Sequence, residues 1–353
     1  MAENQLTQQF NEKLKKDFEE FNQYLEKVSS AYFDEDISKE IGSYPKKTIF
    51  ENELMEIYCY EGKKEIPLLI ITPHINAYYV LDLLPEVSFI KYLSENDFAP
   101  YLVRWKEPKE YEMKWNIEYY IQNGVKKAID EVYEKENKKL VLLGHCLGGV
   151  LTSSYLSSFK DERISKYVSL NSPYDFSKMG EVTRMTSKEF LDVDKLVDSL
   201  GNIPSDFMTF GFQFINPAIR FHGLMAIFHN YFNKQFVRLY KALIYWREEN
   251  IDMPGEFARD LIKNYFQENL LFRGNLKIGG VKADLKTIEI PVLNIISMLD
   301  DVAPYPSCDA LKEKVKDIKT IVLPDGHLAV ILLIMMNIPL EPYWKEILSW
   351  IKE

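Results

Sequence analysis

Three residues of this sequence have the types and the chain order of a nucleophile, an acid and a base. Cys146 lies in residues 144–149 (GHCLGG), directly after the apolar run LVLL. A buried strand, a sharp turn and a helix start of small residues form a nucleophile elbow, the G-x-S-x-G pattern with sulfur in place of oxygen. Because a cysteine thioester keeps most of the energy of an incoming thioester, this pattern favours acyl transfer from a thioester donor.

The acid and the base follow the nucleophile in the order expected of an elbow fold. Asp300 and Asp301 come just after an apolar run at 291–297, and His327 follows Gly326 after the next such run. We expect His327 to take the proton of the thiol and a carboxylate to orient its imidazole. Adjacent side chains diverge, so only one aspartate can face the site. Asp300 is favoured, with Asp301 as a hydrogen-bonding or solvated neighbour.

An acyl-transfer site also needs N–H donors for the oxyanion of the tetrahedral intermediate. We expect these to be the backbone N–H groups of Leu147 and of the loop at 74–75, assigned to Ile75. His145 precedes the nucleophile and is expected to be structural rather than basic. His222 and His229 are seven residues apart. Without further ligands, they fit packed or exposed side chains better than a metal site.

Composition limits the classes of protein that this chain can be. Its 353 residues are 46% hydrophobic and 27% charged, which suffices for a sizeable core. A net charge of −10 argues against nucleic acid as the main partner. The three cysteines are scattered, and the sequence contains no signal peptide, membrane-spanning run, P-loop or GxGxxG motif. We therefore expect a cytoplasmic protein without metal, cofactor or transmembrane segment.

Apolar runs alternate with amphipathic segments in a pattern that predicts an α/β fold. Strands are expected at 48–60, then, after a turn at 61–64, at 66–73, 99–105, 140–143, 164–170, 291–297 and 320–323. Helices are expected at 86–95, 113–135, 147–159, 310–315 and 328–336. This alternation predicts a mostly parallel sheet with helices on both faces. The domains are predicted as an N-terminal helical extension (1–45), a core (46–175 and 285–353) and an inserted helical cap (176–284).

Two segments have more than one interpretation. Residues 1–30 carry apolar side chains at steps of three and four, which fits a helix packed on its own domain or one that docks a partner. The aromatic segment 207–232 fits a lid that keeps water from the site or an ordinary cap core. The sequence alone leaves both choices open.

A series of short motifs in the same order makes the chain resemble the poly(3-hydroxyalkanoate) synthases. The modified lipase box of that family, G-x-C-x-G-G, matches residues 144–149. Further similarities cover roughly residues 65 to 335 and lie at 73–83 (PHINAYYVLDL), 103–108 (VRWKEP), 170–176 (LNSPYDF), 253–255 (MPG), 274–276 (GNL), 280–285 (GVKADL), Asp300 and 326–327. His145 and Arg104 are departures, because many members carry other residues there.

The resemblance implies an α/β-hydrolase fold and an acyltransferase that polymerises 3-hydroxyacyl-CoA into polyhydroxyalkanoate and releases CoA. It implies Cys146, Asp300 and His327 as catalytic residues, with a covalent thioester intermediate. The chain length resembles the two-subunit classes III and IV, which implies a homodimer, an accessory synthase subunit or both, and a place on polyester granules. A thioesterase or polyester depolymerase on the same fold is the enzymatic alternative. The other alternative is an idle binding or granule-coat protein.

Overall fold

Eight strands of the described residues form one mostly parallel sheet, and two more form a separate hairpin. The computed structural model describes Lys16 and residues 36–62, 65–215, 225–227, 229–230 and 233–353. The strands are β1 (Lys46–Glu51), β2 (Met55–Tyr60), β3 (Ile66–Ile71), β4 (Phe98–Trp105), β5 (Leu140–His145), β6 (Ile164–Leu170), β7 (Leu276–Ile278), β8 (Val281–Ala283), β9 (Val292–Ser297) and β10 (Ile318–Leu323). The sheet order is β1-β2-β4-β3-β5-β6-β9-β10.

The strands from β4 to β10 in this order pair in parallel, whereas β1 and β2 form an antiparallel edge. Strands β5 and β9 are buried at every position, as near-continuous apolar runs in a parallel sheet should be. The register pairs Gly144 with Ser169, Ser169 with Asn294 and Asn294 with Thr320. The carboxyl ends of β5, β6, β9 and β10 therefore lie together at one edge of the sheet.

Helices cover the sheet, and the strands pack their side chains into two large hydrophobic clusters, with a small third cluster around Ile296. The helices named here are α1 (Phe89–Glu95), α2 (Ile117–Tyr120), α3 (Lys126–Glu136), α4 (Leu147–Ser158), α5 (Glu181–Met185), α6 (Val193–Leu200), α7 (Ser205–Ile215), α8 (Lys234–Glu248), α9 (Gly255–Asp260), α10 (Leu270–Arg273), α11 (Tyr305–Asp309), α12 (Ala329–Leu332) and α13 (Glu341–Lys352). Leu142 belongs to one cluster and its neighbour Leu143 to the other. Because successive strand side chains point to opposite faces, both faces of the sheet are covered. The predicted α/β architecture is confirmed.

The amino-terminal edge of the sheet differs from the prediction. The stretch 48–60 is divided into β1 and β2 by a turn in which the Asn52 side chain accepts hydrogen bonds from Leu54 N and Met55 N, each 2.9 Å long. Asparagine favours turns because its side chain binds the backbone that follows. Strand β4 lies between β2 and β3. The strands before and after the turn at 61–64 are therefore not neighbours in the sheet.

The segment between β6 and β9 contains helices α5 to α10 and a hairpin of β7 and β8, which the sequence pattern does not predict. Its turn is formed by Gly279 and Gly280, with φ of 58° and 77°. Strands of three residues are too short to show a period of two in the sequence. The predicted domain boundaries stay a prediction.

Several predictions fall on residues that the structure does not describe. The helix predicted at 1–30 lies outside the described residues, apart from Lys16, and so do His222 and much of the aromatic segment 207–232. In its described part, Phe207 and Phe210 on α7 are 46% and 57% exposed. Among the described residues, no helix is long and apolar enough to cross a membrane.

Candidate active site

Cys146 occupies the sharp turn between β5 and α4. Its backbone has φ 52° and ψ −122°, a left-handed conformation that non-glycine residues rarely adopt. Cys146 N donates to the Leu170 carbonyl over 2.9 Å, and the Cys146 carbonyl accepts from Gly149 N over 3.0 Å. This turn has the form of a nucleophile elbow, in which a strained residue presents its side chain at the carboxyl edge of the sheet.

The glycines around Cys146 are required by close packing. A Cβ atom on Gly148 would lie 2.0 Å from the Ile71 carbonyl oxygen, and one on Gly149 would lie 1.9 Å from Ser172 Oγ. A Cβ on Gly144 would lie 2.4 Å from the Gly149 Cα. Helix α4 can thus approach strand β3 and the loop after β6 only without these side chains. The small residues of the sequence motif set the position of the elbow.

Replacing Gly148 by alanine is expected to lower the free energy of unfolding by about 3 kcal/mol, because the methyl group meets a backbone oxygen that cannot rotate away. The measurement is urea denaturation followed by circular dichroism. Gly211→Ala is the matched control, since a Cβ on this helical glycine has no atom within 4 Å. Equal midpoints for the two variants would contradict the packing described for the elbow.

The structure brings His327 and Asp300 together at the carboxyl edge of the sheet. His327 Nδ1 and Asp300 Oδ2 are 2.7 Å apart. The other carboxylate oxygen, Oδ1, accepts from Val302 N and Ala303 N, each over 2.8 Å. These bonds hold the fully buried side chain of Asp300 with one carboxylate oxygen toward the imidazole. Asp301 is exposed, so the geometry favours Asp300 as the residue that orients His327.

The surroundings of His327 favour its charged form. Burial alone lowers its pKa, but the negative charge of Asp300 and the nearby Cys146 sulfur outweigh burial and raise the pKa to about 10. Hydrogen bonds from the ring to Asp300 and to Cys146 also raise the pKa of His327. Because Asp300 holds Nδ1, Nε2 is the nitrogen left for the thiol. An imidazolium beside a cysteine is the setting in which a thiolate is stabilised.

Two other histidines lie close to the elbow and stay neutral. The His145 ring lies 5.5 Å from the His327 ring, with 30° between their planes. Burial, followed by the His327 charge, lowers the pKa of His145 to about 3. Burial lowers the pKa of His74 to about 3 as well, and its ring centroid lies 3.9 Å from that of Phe257. Neither histidine has a hydrogen-bond partner among the described residues, so neither is arranged as a base.

Of the two expected oxyanion donors, Leu147 directly follows the nucleophile in the chain. Leu147 is the first residue of α4, where backbone N–H groups lack acceptors within the helix. Ile75 belongs to the same buried cluster as Cys146 and Leu147, and its carbonyl accepts from Ile251 N over 3.2 Å. Their role as oxyanion donors stays a prediction.

Part of the site was not identified from the sequence as functional. Asn171 lies within the motif at 170–176 and contacts both the loop of His327 and the strand that leads to Asp300. The signal was an asparagine directly after a buried strand, where this residue type often adopts a left-handed conformation. Of the histidine pair proposed and set aside as a metal site, His229 faces the Met225 carbonyl at 2.7 Å, and within the described ranges no three potential ligands cluster.

Similarity to known proteins covers most of the chain. Residues 4–93 match the family described as the N-terminus of poly-beta-hydroxybutyrate polymerase (PhaC), and residues 129–332 match the alpha/beta hydrolase fold. The poly(3-hydroxyalkanoate) polymerase subunit PhaC of Haloferax mediterranei is 26% identical, over 82% of this chain and 61% of that one. The protein of the same name from Allochromatium vinosum is 28% identical, over 82% of this chain and 84% of that one.

A solved structure supports the fold alone. A putative aryl esterase from Burkholderia cenocepacia superposes with a TM-score of 0.51 at 14% identity, covering 87% of this chain and 98% of that one. The match to the alpha/beta hydrolase fold over 129–332 and the observed sheet confirm the predicted α/β-hydrolase fold. The chain spans about three-fifths of the length of its Haloferax relative.

Proposed function

This chain belongs to the α/β-hydrolase fold family and is a relative of the poly(3-hydroxyalkanoate) polymerases, and we propose that it polymerises 3-hydroxyacyl-CoA into polyhydroxyalkanoate. The observation that carries the proposal is a cysteine, instead of the serine of an ordinary esterase, at an elbow beside a carboxylate-bound histidine. A thiol nucleophile suits a thioester donor, because the free-energy change of acyl transfer from one thioester to another is close to zero.

The first half of the proposed reaction loads the acyl group onto the enzyme. The thiolate of Cys146, paired with the His327 imidazolium, attacks the thioester carbonyl of 3-hydroxyacyl-CoA. The N–H groups of Leu147 and Ile75 stabilise the oxyanion, and each such donor is worth about 100- to 1,000-fold in rate. The carbon–sulfur bond to CoA breaks, CoA takes the proton of His327, and the acyl group remains on Cys146 as a thioester.

The second half transfers the acyl group to oxygen. Neutral His327 takes the proton from the hydroxyl of another hydroxyacyl unit or of the chain end, and that oxygen attacks the acyl-enzyme carbonyl. An ester bond forms, and the Cys146 sulfur leaves as thiolate beside the new imidazolium. Because a thioester becomes an oxyester, the step runs downhill without a nucleotide or other cofactor. The CoA thioester is the substrate and supplies the driving force.

Water competes with the acceptor hydroxyl, so the site must limit its access. Cys146 is 8% exposed and the side chain of His327 is 14% exposed. The buried rings of His145 and His74 are neutral, and Leu147 and Ile75 belong to the same buried apolar cluster as Cys146. These surroundings support transfer to a bound hydroxyl over hydrolysis.

Incubation with 3-hydroxybutyryl-CoA is expected to release CoA and to form an insoluble polyester in matching amounts. CoA is measured with a thiol reagent, and the polyester by chloroform extraction and gas chromatography of its methyl esters. Free 3-hydroxybutyrate as the main product would instead identify a thioesterase, and hydrolysis of added polyester would identify a depolymerase. An idle binding or granule-coat protein would give neither product.

A homodimer or an accessory subunit, and association with granules, are part of the same proposal. The match of residues 4–93 to the N-terminal family of PhaC supports a role for this region within that framework. The assay is therefore run with the chain alone and with co-expressed candidate subunits. If a partner increases activity, deletion of residues 1–30 tests whether this segment docks it, and undiminished activation would remove that idea.

A further inference from the structure

Asn171, the first residue after β6, has an uncommon backbone conformation at a fully buried position. Its φ is 45°, and its side chain is 0% exposed. Asparagine adopts the left-handed region several times more often than most non-glycine residues. Such strain at a buried position persists where the surrounding structure holds it, and it concentrates at functional sites.

Hydrogen bonds of Asn171 and of Leu170 before it reach all three strand ends that carry the site. Directly before it, the Leu170 carbonyl accepts from Cys146 N over 2.9 Å, and Asn171 N donates to the Ile295 carbonyl over 2.8 Å. In the side chain, Nδ2 donates to the backbone carbonyl of His327. The oxygen Oδ1 accepts from the Ser297 hydroxyl over 3.1 Å, three residues before Asp300.

We infer that Asn171 is a positioning residue that fixes the height of the His327 imidazole over the Cys146 sulfur. The carboxylate of Asp300 sets the tilt of the ring through Nδ1, but it does not fix the backbone from which the ring projects. The Asn171 amide holds that backbone at the His327 carbonyl and ties it to Ser297 at the end of β9. A substitution of Asn171 therefore shifts the His327 imidazole relative to the Cys146 sulfur without replacing either residue.

The left-handed backbone allows a sharp test, because glycine adopts this conformation without strain. Asn171→Gly keeps the turn and removes both side-chain hydrogen bonds. The readout is the rate at which iodoacetamide alkylates Cys146 between pH 5 and 10, followed by peptide mass spectrometry. We expect alkylation of Cys146 at neutral pH to fall about tenfold, because a thiol without a well-placed base is only a few per cent thiolate at pH 7, and the dependence of the rate on pH to change.

The matched control is Asn137→Gly. Asn137 has φ 50° at the end of α3 and is exposed, so the substitution makes the same backbone change away from the site. Cys146 of this variant is expected to be alkylated at the wild-type rate. A folded Asn171→Gly protein whose alkylation rate equals that of the wild type at every pH would overturn the inference.

If Asn171→Gly does not fold, a second variant provides the test. Ser297→Ala removes only the hydroxyl that orients the Asn171 amide, and it is expected to slow alkylation about fivefold, the effect of one hydrogen bond. An unchanged rate in this variant would overturn the inference.

The inference rests on the thiol–imidazole pair of the proposed function, but an experiment can contradict either one without the other. Normal alkylation of the wild-type protein without polyester formation contradicts only the proposed polymerase activity. Variants that are alkylated at the wild-type rate contradict only the role of Asn171.

Discussion

Replacement of Cys146 by alanine is expected to abolish CoA release from 3-hydroxybutyryl-CoA. Loss of a nucleophile that acts as a unit with its base lowers turnover by about 10⁴- to 10⁶-fold. The fold should be retained, because the alanine side chain is smaller than cysteine at a position that is 8% exposed. Steady-state CoA release, with circular dichroism to verify folding, measures the effect.

Cys59→Ala is the control for the loss of a buried thiol. Cys59 is 7% exposed and its sulfur faces the Tyr60 carbonyl, remote from the elbow. This variant should retain wild-type turnover and still gain one acyl mass on the peptide that contains Cys146. Turnover that survives in Cys146→Ala, or an acyl group on another residue, would rule out covalent catalysis at Cys146.

The second large effect is expected for Asp300→Asn, with kcat about 10⁴-fold lower. An amide that presents its NH₂ group to Nδ1 selects the wrong tautomer of the imidazole, as the corresponding change does in serine proteases. The oxygen that accepts from Val302 N and Ala303 N remains, so the loop should keep its shape. Asp301→Asn is the control, since Asp301 is exposed, and it should stay within a factor of two or so of wild type. Equal losses in both variants would contradict the assignment of Asp300.

The same variant has a predicted pH signature. The pKa of His327 is about 10 in the folded protein, above the value of about 6.5 expected in the unfolded chain. The folded state therefore binds this proton more tightly, and the stabilisation is complete below pH 6.5 and is lost as the pH rises through 10. In Asp300→Asn the pKa of His327 should fall, and the stability lost between pH 6 and pH 10 should therefore be smaller than in the wild type. Urea denaturation at pH 6, 8 and 10 measures the difference, and parallel curves for both proteins would contradict it.

The parts of the site that the sequence predicted are those with a local signal. Apolar runs marked β5, β9 and β10, and polar residues directly after such runs marked Cys146, Asp300 and His327 as members of one edge. Parallel strands end on the same side, so chain order alone brought these residues together. This signal does not separate Asp300 from Asp301; Asp300 is only favoured by the sequence, and its hydrogen bond to His327 supports that preference.

Other features depend on contacts that have no local signal. The bonds of Asn171 join residues 126 and 156 positions apart along the chain. The pKa of His327 depends on the balance between burial and two neighbours brought close by folding. The division of 48–60 into two strands rests on one side chain, Asn52, that folds back onto its own backbone. Such details follow from packing and not from hydrophobic periodicity.

The conformation of Cys146 has a consequence for attempts to stabilise this protein. A residue other than glycine held at φ 52° raises the energy of the native state by about 1–3 kcal/mol. Glycine at position 146 would relieve that strain and remove the sulfur in the same step. Selection for heat resistance alone would therefore favour an inert protein at this residue, so any screen for hardier variants must also demand turnover.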